Sequence, residues 1–217
     1  MITEQTKVTD AAIGVGIADQ PEELSVIHKP GCAAAIWRRQ LPKGFDTWID
    51  GINPDNLPSG RLVLRPDGVA SSVQQLCDQA GLRNSAQRDW LTADIADLAK
   101  RFADLMRAPY LRFRLDVIST NACRRFHIDA ITSRLICTYR GTGTQYGVST
   151  DGSEPKRVFT VGTGSPMIMR GSLWPETPKS GLLHRSPPIE GSGETRLVLV
   201  LDPVSELDEI GDVCGSL

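Results

Sequence analysis

Residues 124–129 read Arg-Arg-Phe-His-Ile-Asp, and the prediction of the fold begins with this stretch. If these residues form a strand, His127 and Asp129 leave it on the same face, because strand side chains repeat every two positions. His184 follows 57 positions later, in the stretch Leu-His-Arg-Ser-Pro-Pro over 183–188. A jelly roll brings strands that far apart in sequence into one barrel. We therefore predict an α+β, mainly β fold with a double-stranded β-helix (jelly roll) core.

The three side chains His127, Asp129 and His184 form a candidate metal site. Two imidazoles and one carboxylate cover one face of an octahedral metal and leave three positions open, which is typical of non-haem Fe(II) oxygenases. The same ligand types also suit zinc, copper or manganese, so the residues leave the metal open. Two histidines with unrelated structural roles are the alternative.

Cys123 shares the parity of the two ligands in a predicted strand over Ala122–Asp129. As a fourth, soft ligand it would favour zinc or copper over iron. A small buried apolar side chain is the alternative role for this cysteine.

Hydrophobic periodicity divides the chain into helical and strand regions. Residues 70–107 carry apolar side chains at spacings of three and four, which predicts amphipathic helices. Leu111–Val117 alternates apolar and charged residues, as a half-buried strand does, and Arg196–Asp202 is a nearly continuous apolar strand. The predicted organisation is one domain over 1–217, with a flexible arm at 1–25, a helical buttress at 70–107 packed against the sheet and a jelly-roll core at 110–203.

Composition is that of an ordinary globular protein, with 40% hydrophobic and 23% charged residues. The formal net charge of −2 gives no reason to expect nucleic-acid binding. Five cysteines without a Cys-x-x-Cys pair favour a reduced protein over a disulfide framework. No apolar stretch approaches the ~20 residues that span a bilayer, and the N-terminus lacks the pattern of a signal peptide. These observations predict a cytoplasmic protein.

The order His-x-Asp, distal His and then Arg196 resembles that of the Fe(II)/2-oxoglutarate-dependent dioxygenase superfamily, over Arg114 to Asp202. The resemblance implies that Arg196 grips the distal carboxylate of 2-oxoglutarate, since a guanidinium can bind a carboxylate through two hydrogen bonds. Tyr139, with the glycine-threonine turn after it, is similar to the co-substrate-binding tyrosine of prolyl-hydroxylase-like members. Arg125 shares the parity of the ligands and is a further candidate for holding substrate or co-substrate.

The wording of the motifs is also similar to that of the bacterial domain-of-unknown-function 1826 family. Its members resemble this chain in Arg-Phe-His-x-Asp, in Cys-Thr-Tyr-Arg-Gly-x-Gly-Thr and in His-Arg-Ser-Pro-Pro, which here begin at Arg125, Cys137 and His184. This similarity spans most of the chain and implies no established activity.

The leading hypothesis is an enzyme that couples oxidative decarboxylation of 2-oxoglutarate at an Fe(II) centre to hydroxylation of a small-molecule or peptide substrate. One alternative is a non-catalytic metal-binding or metal-homeostasis protein. Another is a cupin-like metalloenzyme that uses zinc, copper or manganese without 2-oxoglutarate. Arg196 discriminates these hypotheses if it faces the metal site, and Cys123 does so if it closes the coordination sphere. The sequence determines neither the substrate nor the oligomeric state.

Overall fold

A computed structural model describes residues 11–149, 151 and 153–205 of the chain. Its strands are β1 (Ala11–Ala12), β2 (Gly14–Ala18), β3 (Cys32–Trp37), β4 (Gly60–Leu64), β5 (Tyr110–Ile118), β6 (Ser133–Arg140), β7 (Gln145–Val148), β8 (Phe159–Thr160), β9 (Met167–Arg170), β10 (Lys179–Ser180), β11 (Leu182–Arg185) and β12 (Arg196–Val204). The helices are α1 (Phe45–Asp50), α2 (Val69–Gln79) and α3 (Ala86–Met106), with 3-10 turns at Pro21–His28, Pro54–Asn56 and Pro66–Gly68. The predicted mainly β class is confirmed.

Two sheets form the body of the fold. The larger has seven strands in the order β2-β3-β9-β6-β12-β5-β4, and the smaller has the order β11-β7-β8. His127 extends the smaller sheet through an antiparallel bridge with His184 of β11. Buried residues of both sheets, among them Val198 of β12 and Leu182 of β11, share one hydrophobic cluster. Two sheets packed around a common interior make the predicted jelly roll.

The opposite face of the seven-stranded sheet packs against the helices. In β5 the predicted alternation places Leu111, Phe113 and Leu115 in a second, larger cluster, which also contains Phe102 of α3. Each of these four side chains is fully buried. The periodicity of β5 therefore separates a face that packs on the helices from a face that points into the jelly roll.

The helices occupy the predicted region 70–107. The side chain of Ser85 accepts a hydrogen bond from the backbone N–H of Arg88 at 3.2 Å and so caps the N-terminus of α3. Arg107 ends that helix in the left-handed conformation, with φ of 52°. The helical buttress predicted from apolar spacing is present as α2 and α3.

Three expectations about the chain's organisation need correction. Residues 11–18 form β1 and β2 instead of a flexible arm, and residues 1–10 lie outside the described ranges. β3 lies between β2 and β9, so the sheet extends well beyond the predicted core at 110–203. The predicted strand at 122–129 is irregular apart from the bridge at His127, so parity arguments within it do not hold.

Candidate functional site

The smaller sheet brings the two predicted histidine ligands together. His127 and His184 exchange both backbone hydrogen bonds, at 3.1 and 3.0 Å, and their rings lie 4.5 Å apart between centroids. This is the closely bonded pair of an antiparallel ladder, which puts both side chains on the same face. Asp129 follows two residues after the bridge and turns back towards both rings.

The three side chains form a compact set of ligand atoms. His184 Nε2 lies 3.1 Å from Asp129 Oδ2, and His127 Nε2 lies 3.6 Å from Asp129 Oδ1. The ligand atoms of all three residues lie within 4.8 Å of one another. Bond lengths of about 2.1 Å on an octahedral ion would separate adjacent ligands by about 3.0 Å. The donor set therefore fits one divalent ion after small side-chain adjustments.

Hydrogen bonding selects the ring nitrogen that His127 offers. Its Nδ1 lies 2.8 Å from the backbone carbonyl oxygen of Arg125. A carbonyl only accepts, so Nδ1 carries the proton and Nε2 keeps the lone pair that a metal requires. Burial lowers the pKa of His184, although the neighbouring Asp129 carboxylate opposes that effect. The neutral imidazole is the form that binds metals.

A chain of charges stabilises the carboxylate of Asp129. Burial alone would raise its pKa, but His184, Arg134 and His127 together hold the pKa below its usual value. Arg134 NH1 donates to Asp129 Oδ2 at 2.5 Å, and the same guanidinium donates twice to Asp202, at 2.6 and 2.8 Å. Asp202 is almost fully buried on β12. The pair Arg134–Asp202 therefore holds Asp129 in its ionised form and fixed orientation.

Arg196 is a buried cation that has no carboxylate bonded to it among the residues the structure describes. Its Nε donates to the carbonyl oxygen of Thr142 at 2.6 Å, and its NH1 and NH2 lie 3.3 and 3.4 Å from the hydroxyls of Ser186 and Thr138. Only 1% of the residue is exposed, and burial lowers its pKa to about 10. The carboxylate of Glu194 bonds to Thr142 instead. Glu194 is near enough to favour the charged form of Arg196, but the described hydrogen-bond partners of the guanidinium are neutral oxygens, so an anion in the cavity could bind it directly.

One cavity of about 250 Å³ connects Arg196 with the two histidines. Its lining also includes Arg114 and Arg134 on the larger sheet. Its remaining wall is a mixture of apolar and polar side chains, among them Ile136, Thr144, Ser186, Val198 and Val200. The cavity thus combines candidate metal ligands and cations with an apolar floor formed by Ile136, Val198 and Val200.

Two of the predicted co-substrate residues lie elsewhere. Tyr139 is fully buried in the helix-facing cluster, where its hydroxyl donates to Asp94 at 2.5 Å. Along β6 the side chains of Arg134 and Ile136 line the cavity, so the odd-numbered Tyr139 points away from it. The side chain of Arg125 is exposed and does not line the cavity, whereas its carbonyl holds His127. Neither side chain can therefore take its predicted role in this geometry.

Cys123 and the arginines near the motifs are the other residues that the sequence suggests for the site. Cys123 is exposed at the rim of the cavity and is not part of the cluster of candidate ligands within the described ranges. Of the arginines near the motifs, Arg134, Arg185 and Arg196 line the cavity. Thr138, which contacts Arg196, and Asp202, which contacts Arg134, are not indicated as site residues by the sequence analysis. A polar residue inside an otherwise apolar strand is the signal that could have indicated both.

Comparison with solved structures identifies the class of fold. A rice dioxygenase for auxin oxidation shares 13% identity with the chain at a TM-score of 0.51, over 90% of this chain and 84% of that one. The Arabidopsis thaliana dioxygenase for auxin oxidation 1, solved with 2-oxoglutarate, has 13% identity and a TM-score of 0.48, with 90% and 94% covered. A 2OG-Fe(II) oxygenase family oxidoreductase from Burkholderia pseudomallei has 11% identity and a TM-score of 0.43, with 90% and 99% covered. At this identity the rice structure shows the jelly-roll fold alone.

The sequence itself places the chain in a family. Residues 18–202 match the family described as protein of unknown function (DUF1826), and the chain belongs to that family. The match contains all three candidate metal ligands and Arg196. No curated protein sequence matches the chain. None of the described helices is long and apolar enough to cross a membrane.

Proposed function

We propose that this protein is a mononuclear non-haem iron oxygenase that uses 2-oxoglutarate to hydroxylate a small substrate. His127, Asp129 and His184 would hold the Fe(II), and Arg196 would hold the distal carboxylate of 2-oxoglutarate. The observation that carries the proposal is a buried guanidinium, with no bonded carboxylate among the described residues, in the cavity that both histidines of the His127, Asp129 and His184 cluster line. A protein that only stores metal has no need of that cation.

The residues around the site perform tasks that such a reaction needs. Bound Fe(II) would supply the redox chemistry that couples oxidation of the 2-oxo acid to that of the substrate. Arg134 holds the carboxylate of Asp129, and the carbonyl of Arg125 orients His127. Arg196, fixed through Thr142, positions a carboxylate by charge and by direction. The apolar floor at Val198 and Val200 limits water around a bound ligand.

The test of this proposal is a spectroscopic titration with a matched variant. Anaerobic protein receives Fe(II) and then 2-oxoglutarate, and the visible charge-transfer band of a chelated 2-oxo acid is recorded, followed by succinate release in air. We expect the band in the wild type, and in Arg196→Met an affinity for 2-oxoglutarate that is lower by about 100-fold, since a charged bidentate contact is lost. Iron affinity of the variant, measured separately, should stay within about threefold. Absence of both band and succinate in the wild type would remove the proposal.

The alternatives make different demands on the site. A closed coordination sphere would favour a storage or structural role, and the position of Cys123 at the exposed rim supports an open one. A cupin-like enzyme using zinc, copper or manganese would bind its metal without 2-oxoglutarate. The metal content of protein purified without added metal distinguishes iron from these ions. A cytoplasmic location remains a prediction from the sequence.

A further inference from the structure

A second cation in the cavity is left without a full set of partners. Arg114 of β5 lines the cavity, and its Nε is buried with no hydrogen-bond partner among the described residues. Its NH2 lies 3.7 Å from Asp202 Oδ2, which is close enough for an ion pair but too far for a hydrogen bond. Asp202 already accepts two hydrogen bonds from Arg134. A buried donor without an acceptor is costly, and the cost is larger for a charged group.

The neighbour of Arg114 adds to this cost. Arg61 of β4 is its direct cross-strand partner, and both side chains line the cavity. Like charges directly opposite each other destabilise a sheet. Arg61 is mostly exposed and bonds to Asp116 at 3.1 Å, so it stands at the rim while Arg114 lies deeper. Asp116 and Asp202 each lie within 4 Å of one of the two arginines, but neither carboxylate supplies an acceptor to the buried Nε of Arg114.

The anion that suits Arg114 is distinct from the one assigned to Arg196. Arg114 pairs across the sheet with Val200, four residues along β12 from Arg196. Four strand residues put the backbones of the two arginines ~13 Å apart, so each guanidinium most directly serves an anion at its own end of the cavity. The cavity volume of about 250 Å³ is below the ~300–1,000 Å³ of sites for drug-sized ligands. The part of a ligand that enters it must be small.

We propose that the substrate is a small molecule with an anionic oxygen group, a carboxylate or a phosphate, which Arg114 binds while Arg61 attracts it at the rim. The substrate assignment rests on the proposed oxygenase function, whereas the anion site at Arg114 can be tested without it. The Nε–H of Arg114 would donate to the anion and gain the acceptor that it lacks. Arg114 would thereby determine both the charge class and the orientation of the substrate.

The test uses the Nε–H signals of arginine in ¹H–¹⁵N spectra of the 217-residue protein. The signals of Arg114 and Arg196 are assigned by their loss in Arg114→Lys and Arg196→Lys. Acetate and inorganic phosphate are titrated in separate arms, first into protein without added metal and then into protein loaded with Zn(II) and 2-oxoglutarate. The Arg196 signal reports 2-oxoglutarate binding, and the Arg114 signal reports the second anion. The two proposals can therefore fail independently in one set of spectra.

We expect the Arg114 signal to shift and saturate with at least one of the two anions, and the stronger arm identifies carboxylate or phosphate. Calorimetry should show an affinity for that anion at least about tenfold lower in Arg114→Met than in the wild type, because a charged hydrogen bond is lost. Arg61→Met should weaken binding less. Arg38, whose side chain is 66% exposed, serves as the reference for weak surface binding. If the Arg114 signal is unmoved in both arms, or shifts without saturation like that of Arg38, the anion site is refuted.

Discussion

The two faces of the seven-stranded sheet differ sharply in what they do. On the helix-facing side, alternate residues of the three strands β5, β6 and β12 are buried and form one core with α3, namely Leu111, Phe113, Leu115, Leu135, Cys137, Tyr139, Leu197, Leu199 and Leu201. On the other side the intervening positions carry Arg114, Arg134, Arg196 and Asp202 beside a few apolar residues. The same strands therefore supply a hydrophobic core on one face and the charged lining of the candidate site on the other.

The two faces also differ in the partners of their buried charged groups. On the helix-facing side the buried guanidinium of Arg39 is paired with a carboxylate, since it donates to both oxygens of Asp94. The cavity side leaves Arg196 with neutral partners and Arg114 Nε with none in the described part of the chain. On the cavity side, a bound anion would supply the acceptors that these two guanidinium groups lack. Substitutions on the helix-facing side should therefore change mainly the free energy of unfolding, and substitutions on the cavity side mainly the affinity for ligands.

The largest effect is expected for His184→Ala. The variant loses one of the three proposed ligands, and a third of a binding free energy of order 10 kcal/mol is about 3–4 kcal/mol, or several hundredfold in affinity. Fold should persist, because the backbone bridge to His127 does not need the imidazole. Metal content by elemental analysis and far-UV circular dichroism measure the two quantities. Unchanged metal content in a folded variant would eliminate the three-ligand site.

Phe113→Ala should have the converse effect. The side chain is fully buried against the helices, so its loss should destabilise the fold by about 3–5 kcal/mol. Metal affinity of the folded protein should stay within about twofold, because the ring points away from the cavity. Urea unfolding and metal titration measure the pair of effects. A large loss of metal affinity in this variant would show that the two faces are coupled.

Periodicity was enough to predict much of this two-faced sheet. Leu111–Val117 and Arg196–Asp202 were assigned as strands because their apolar patterns are regular, and both lie within β5 and β12. The co-substrate role implied for Tyr139 came from a family resemblance, whereas the alternation of β6 puts its side chain on the helix-facing side, because Arg134 and Ile136 line the cavity. The parity argument for Arg125 does not hold, because the chain before His127 is irregular and its side chains do not alternate as in a strand.

The site itself was only partly predictable. His127, Asp129 and His184 could be grouped because the chain has just three histidines and a recognisable order of motifs. The contacts that hold them depend on pairings between distant strands. Arg134 meets Asp202 across 68 positions, and no local pattern encodes that contact.

Asp202→Asn tests the support behind the metal ligands, with a smaller expected effect. Arg134 would lose a charged partner, and Asp129 would be held less firmly, which should weaken metal binding by about tenfold. Asp116→Asn is a matched control, since within the described ranges the Asp116 carboxylate accepts its hydrogen bond from the exposed Arg61 at the rim and not from Arg134. Metal titration of both variants gives the comparison. Equal affinities in the two would indicate that Arg134 alone fixes Asp129.

The smallest expected effect is a dependence of stability on pH that originates on the cavity side. Burial lowers the pKa of His184 from its usual value of 6.5, so below that pH the unfolded chain binds a proton that the folded chain does not. Stability of the metal-free protein should therefore fall as the pH drops below about 6.5, by at most about 1.4 kcal/mol per pH unit for this group. The pKa of Asp129 is also lowered, and its contribution is lost only below its usual value of 3.8. Urea unfolding between pH 8 and pH 5.5 should show this slope in the wild type and a flatter one in His184→Gln, whereas parallel profiles would assign the slope to other groups.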